Sequence, residues 1–66
     1  MPIIEVTLTE GRSPEKKRRL ISALTQAVVD AEVAPKEAVR VIIREIPPEH
    51  FAAGDVTLAE RQKEQS

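Results

Sequence analysis

Apolar and polar side chains alternate over residues 3–9, Ile-Ile-Glu-Val-Thr-Leu-Thr, with Ile4, Val6 and Leu8 on one side and Glu5, Thr7 and Thr9 on the other. A period of two with many β-branched residues predicts a strand with one buried face. Gly11 ends it. The period then changes. Leu20, Ile21, Leu24, Ala27, Val28 and Ala31 recur at helical spacing. Ser13-Pro14-Glu15 supplies the start, with Ser13 as cap, Pro14 suited to the first helical position and Glu15 at the positive end of the dipole. The spacing predicts a helix from about Pro14 to Val33, stopped by Pro35 through its exclusion of helical geometry at Ala34.

Alternation returns over residues 38–46, with Val39, Val41 and Ile43 on one face and Arg40, Ile42 and Arg44 on the other. This predicts a second strand. Pro47-Pro48 ends it, since neither can donate a ladder hydrogen bond. Residues 52–58 read as a turn with a short strand or hairpin, and residues 60–66 as a polar, flexible tail. There is no internal repeat and no linker, so residues 1–66 are expected to form a single domain.

Strand, long helix, strand is a βαβ unit. It predicts parallel strands and a right-handed crossover in an α+β fold. Two strands and one helix leave a sheet face and both edges uncovered, whereas parallel sheets are usually buried on both faces. The alternation therefore implies that other copies of the chain cover them in a symmetric oligomer. Size points the same way. A chain of 66 residues buries only about 60% of its unfolded surface and is marginal alone. No Cys is present for a disulfide or thiolate metal site, and one His cannot build a metal site by itself. The apolar content is Ile, Val, Leu and Ala, with one Phe and no Trp or Tyr.

Ten basic and eleven acidic side chains leave a net charge of −1. That balance gives no general attraction to nucleic acid or anionic membranes. No apolar run approaches the roughly 20 residues that span a bilayer, and Met-Pro-Ile-Ile-Glu lacks the regions of a signal peptide. The expected location is the cytoplasm.

Several residues carry possible chemistry. Pro2 is small enough for Met1 to be trimmed, which would expose a secondary amine. An α-amino group has a reference pKa near 7.7–8.0. Burial or a nearby Arg disfavours its charged form, leaving an amine poised to accept and return a proton. Pro2 can equally do no more than open an edge strand. Arg12, in the loop after Gly11, reads as a carboxylate clamp or as a solvated loop residue. Arg40 lies inside the second strand and can aim at a ligand, pair with an acid or sit at a rim, and Arg44 shares its face. Phe51, the sole aromatic, can wall an apolar pocket or anchor a core or interface. His50 is assigned no catalytic role. Lys16-Lys17-Arg18-Arg19 reads as an anion or nucleic-acid patch or as a solvated helix face; no aromatic residues accompany it for base stacking.

Distance constrains these candidates. Pro2 and Arg12 lie at opposite ends of the first strand, roughly 20 Å or more apart at about 3.3 Å per residue. One chain cannot bring both to one small substrate, so a site that uses both is shared between subunits. Arg40 is near the start of the second strand, at the Pro2 end of a parallel pair, so either chain could supply it.

Together, Pro2-Ile3-Ile4, Glu10-Gly11-Arg12 before a Ser-capped helix, Val39-Arg40-Val41-Ile42-Ile43 and His50-Phe51 resemble the 4-oxalocrotonate tautomerase family over residues 2 to about 54. The resemblance implies a βαβ subunit with a C-terminal hairpin, assembled as a hexamer, a trimer of dimers. It implies that the N-terminal proline is general base and then general acid, moving a proton along a dienol such as 2-hydroxymuconate to give the conjugated ketone. Arg12 and Arg40 would bind carboxylates and polarise the 2-oxygen, and Phe51 would line the wall that keeps the amine neutral. No metal or organic cofactor is implied, because the substrate carbonyl holds the developing charge and Arg stabilises it.

The chain departs from the family at Ala52-Ala53-Gly54-Asp55, where many members are glycine-rich. Ala53 also stands where the dehalogenase branch has a carboxylate, which argues against dehalogenation. Activity through Pro2 requires loss of Met1, since a retained Met1 makes the proline nitrogen a non-basic amide. The alternatives are an acrylate hydratase or dehalogenase, or a non-catalytic oligomeric binding module.

Overall fold

A computed structural model describes residues 1–65. Strand β1 (Ile3–Thr9) leads to helix α1 (Pro14–Asp30) and strand β2 (Arg40–Ile46). A hairpin of β3 (Ala52–Ala53) and β4 (Val56–Thr57) and helix α2 (Leu58–Gln65) complete the chain. Single 3₁₀ turns precede β2, at Lys36–Ala38, and β3, at Pro48–His50.

The sheet forms as the alternation predicts. β1 and β2 pair in parallel, from Ile3 opposite Arg40 to Thr9 opposite Ile46. Ile4, Val6, Leu8, Val41 and Ile43 are half-buried, and their neighbours Ile3, Glu5, Thr7, Arg40, Ile42 and Arg44 are exposed. Helix α1 starts at the expected residue: the Lys16 N–H donates to the Ser13 side chain at 3.3 Å, with Pro14 in the first turn. It half-buries Leu20, Ile21, Leu24 and Val28, whereas Ala27 and Ala31 are exposed. The Lys17 ammonium meets the Glu45 carboxylate at 2.8 Å and ties the start of α1 to the end of β2.

Three boundaries differ from the sequence reading. Helix α1 ends at Asp30 rather than near Val33. Glu32 adopts φ 59°, and the N–H groups of Glu32 and Val33 donate back to the carbonyls of Val29 and Val28. This left-handed closure terminates the helix before Pro35 acts. Residues 38–39 belong to the turn before β2, whose first strand residue is Arg40. The segment expected to be a tail from residue 60 is helical through Gln65; Ser66 lies outside the described residues. Thr57 caps α2, with its hydroxyl accepting the Glu60 N–H at 3.1 Å and donating to the Glu60 carboxylate at 3.1 Å.

The hairpin turn is Gly54-Asp55, with φ of 60° and 69°. Positive φ at both central residues matches the twist of a two-residue hairpin, and Gly-Asp supplies residue types that tolerate it. Leu58 N–H closes the base onto the Phe51 carbonyl at 2.8 Å.

No described residue is fully buried. The radius of gyration is 15.2 Å, against roughly 11 Å for a compact chain of this length. The accessible surface is 5201 Å², against about 4,200 Å² for a compact monomer of this mass. Half-burying one sheet face under one helix leaves Ile3 59% exposed and Ile42 41% exposed.

Candidate active site

Pro2 precedes β1, and its position is fixed through its carbonyl, which accepts the Arg40 N–H at 3.0 Å. Its own nitrogen carries no hydrogen and takes no part in the ladder. Pro2 is half-buried, while Met1 is 82% exposed. The bond that would have to be cut to free the amine therefore stands at the surface.

Arg40 opens β2 on the exposed sheet face, opposite Ile3. The turn at 36–38 presents the Glu37 carbonyl to its guanidinium, and Nη1 donates there at 2.8 Å. Arg12 stands at the other end of the sheet. Gly11, at φ +124°, turns the chain out of the sheet in a conformation other residues rarely adopt. Arg12 Nη1 then donates to the Thr9 carbonyl at 2.9 Å. Among the described residues, neither guanidinium has a carboxylate within ion-pair distance. Each is braced by main-chain oxygen and keeps donors and charge available. Arg44 differs: its Nη2 lies 3.5 Å from Glu5 on the same sheet face. That pairing separates the two strand arginines, which alternation alone left equivalent.

Phe51 follows the turn at 48–50 and is 49% exposed. His50 is exposed, and its N–H donates to the Pro47 carbonyl at 2.9 Å. The structure brings Pro2 and Arg40 together at one end of the sheet and leaves Arg12 at the other. Arg12 lines a shallow cleft of about 280 Å³ with Leu8, Lys16, Lys17 and Leu20.

Sequence reasoning missed α2, whose Arg61 Nη2 donates to the Ala53 carbonyl at 3.3 Å and braces the hairpin after Phe51. The signal was present in Thr57-Leu58-Ala59-Glu60, a Thr-x-x-Glu start. Among the described residues, no group of His, Asp and Glu converges to hold a metal ion, and no helix is long and apolar enough to cross a membrane.

The family model described as "Tautomerase enzyme" matches residues 2–61. A protein described as "Probable tautomerase RSp0893" from Ralstonia nicotianae is 54% identical over 56 residues, which is 85% of this chain and 80% of that protein. Among solved structures, TomN, a 4-oxalocrotonate tautomerase homologue in the tomaymycin biosynthetic pathway, superposes with a TM-score of 0.93 at 48% identity, covering 98% of this chain and all of that one. A heterohexamer 4-oxalocrotonate tautomerase from Chloroflexus aurantiacus gives a TM-score of 0.87 at 42% identity, covering 91% of this chain and 97% of that one. Fold and comparisons define an isomerase-type enzyme on a βαβ subunit with a C-terminal hairpin. The chain belongs to the tautomerase family, within its 4-oxalocrotonate tautomerase group.

Proposed function

We propose that the chain catalyses enol–keto proton transfer on a small unsaturated 2-hydroxy/2-oxo acid of the 2-hydroxymuconate type, with the amine of Pro2 as general base and then general acid. The observation that carries the reading is the Arg40 N–H bond to the Pro2 carbonyl, 3.0 Å long. It anchors Pro2 by its oxygen, so removing Met1 frees the nitrogen without breaking a contact to β2. The neutral amine accepts the proton of the 2-hydroxyl. As the 2-carbonyl forms, the electron pair moves along the diene to C5, which takes the proton back from the ammonium. No electrons leave the substrate, and the reaction needs no cofactor. Arg40 and Arg12 bind carboxylate and stabilise the developing oxyanion. Phe51 supplies an apolar wall that keeps the amine uncharged.

The separation of Pro2 from Arg12 along β1 supports a site shared between subunits. The open sheet face and the lack of a fully buried residue among those described support a homo-oligomer, a hexamer built as a trimer of dimers. In this reading residues 1–66 act as one domain in the cytoplasm.

The test is ultraviolet-monitored ketonisation of 2-hydroxymuconate. Wild-type protein is expected to turn over, and Pro2→Ala to lose about 10²- to 10⁴-fold in kcat with an unchanged circular dichroism spectrum. Equal turnover by the variant would overturn the proline mechanism.

A further inference from the structure

The four-residue basic run is not one patch. Arg18 and Arg19 lie along Ser22, Ala23 and Gln26, and Arg18 Nη1 donates to the Ser22 hydroxyl at 3.0 Å. Lys16 and Lys17 instead turn toward Arg12, over an apolar floor of Leu8 and Leu20. The three cations of that cleft are not equivalent. Lys17 is neutralised by Glu45 at 2.8 Å. Among the described residues, neither Arg12, which is braced on Thr9, nor Lys16 has a carboxylate partner.

The side-chain charge of Lys16 does not favour the helix that bears it. It stands in the first turn of α1, where a cation opposes the dipole. Two uncompensated cations over a leucine floor suit a group with an anionic head and a hydrocarbon stem: the leucines receive the stem and the cations the carboxylate. A substrate ending in methyl at this place would bury the stem and leave both charges unanswered.

We infer that Lys16 is a specificity-determining residue: it adds a second cation to the carboxylate cleft of Arg12 and strengthens the preference for dicarboxylates over monocarboxylates. The inference rests on the reading above for the identity of the site, but it concerns binding and not proton transfer. The test therefore uses two saturated 2-oxo acids with the same six-carbon chain. 2-Oxohexanedioate ends in a carboxylate and 2-oxohexanoate in a methyl group, and the shared 2-oxo acid end orients both alike.

Dissociation constants are measured by NMR titration of wild-type protein, Lys16→Ala and Lys16→Arg. Wild type is expected to bind the diacid more tightly. Lys16→Ala should weaken the diacid about tenfold or more, the worth of one charge-assisted contact, and leave the monoacid within about twofold. Lys16→Arg should restore the diacid. The Tm of Lys16→Ala should equal or exceed that of wild type, because a charge opposed to the dipole has gone; a purely structural lysine would lower it. Absent diacid binding by wild type, equal weakening of both acids or a lowered Tm would overturn the inference. Because neither probe requires Pro2, diacid selectivity with unchanged turnover by Pro2→Ala would retain the cleft and reject the proline mechanism alone.

Discussion

The main-chain N–H of Arg40 donates to the carbonyl of Pro2 at 3.0 Å, so the residue before β1 and the first residue of β2 are held side by side. The contact is entirely main chain. Neither side chain is needed to maintain it, and either can be replaced without releasing the strand ends.

Subunit mixing tests the shared site. Pro2→Ala and Arg12→Ala homo-oligomers should each be nearly inactive with 2-hydroxymuconate. Co-refolding them in equal amounts should restore about a quarter of wild-type activity, since random assembly gives that fraction of sites both intact groups. Recovery no better than that of the separate variants would mean that each site draws Pro2 and Arg12 from one chain, and would overturn the shared site.

The amine mechanism has a defined pH signature. Only the deprotonated amine is a base, so kcat/KM should rise with pH and level off above the amine pKa. Burial beside a cation disfavours the charged form, so the midpoint should fall below the reference range of about 7.7–8.0. Titration of Pro2 with ¹⁵N-labelled protein should give the same midpoint. A profile flat from pH 5 to 9 would remove Pro2 from the rate equation.

Stability should depend on protomer concentration. No described residue is fully buried within one chain, and Ile3 and Ile42 are 59% and 41% exposed. In the proposed homo-oligomer, contacts between copies supply burial that the protomer lacks. Dilution should lower the Tm, and Ile42→Asp should give a smaller, largely unfolded species in sedimentation velocity. A Tm independent of concentration together with a folded monomer would contradict this.

The hairpin carries a separable backbone effect. Gly54 has φ +60°, and a Cβ placed there meets no atom within 4 Å. Gly54→Ala should therefore cost about 1 kcal/mol through conformation alone, read as a lowered urea midpoint with an unchanged m-value. A loss several times larger would mean that Gly54 is packed against another subunit.

Much of the framework was legible in the sequence, for identifiable reasons. The alternation of Ile4, Val6 and Leu8 and of Val41 and Ile43 fixes which sheet face lies under α1, because a strand's side chains have a period of two. Ser13 and Pro14 mark the helix start because capping is local. The helix end was not legible: Glu32 in a left-handed conformation breaks the preference for Gly, so composition favoured a longer helix. The expected tail was misread because residues 60–66 are polar, although Thr57 and Glu60 carried the capping pattern.

For the candidate site, the sequence by itself determined the residue types and their order: a proline beside Met1, Arg12 after Gly11, Arg40 inside a strand and one aromatic. It also determined that Pro2 and Arg12 lie a strand length apart, since an extended chain has a fixed rise per residue. Only the tertiary structure decided that Pro2 and Arg40 share one bond, that Glu5 engages Arg44 rather than Arg40, and that Lys16 faces the Arg12 cleft while Arg18 turns away. Those outcomes depend on strand register and on the rotation of α1 over the sheet. Packing between residues distant in the chain sets both, and no local pattern encodes them.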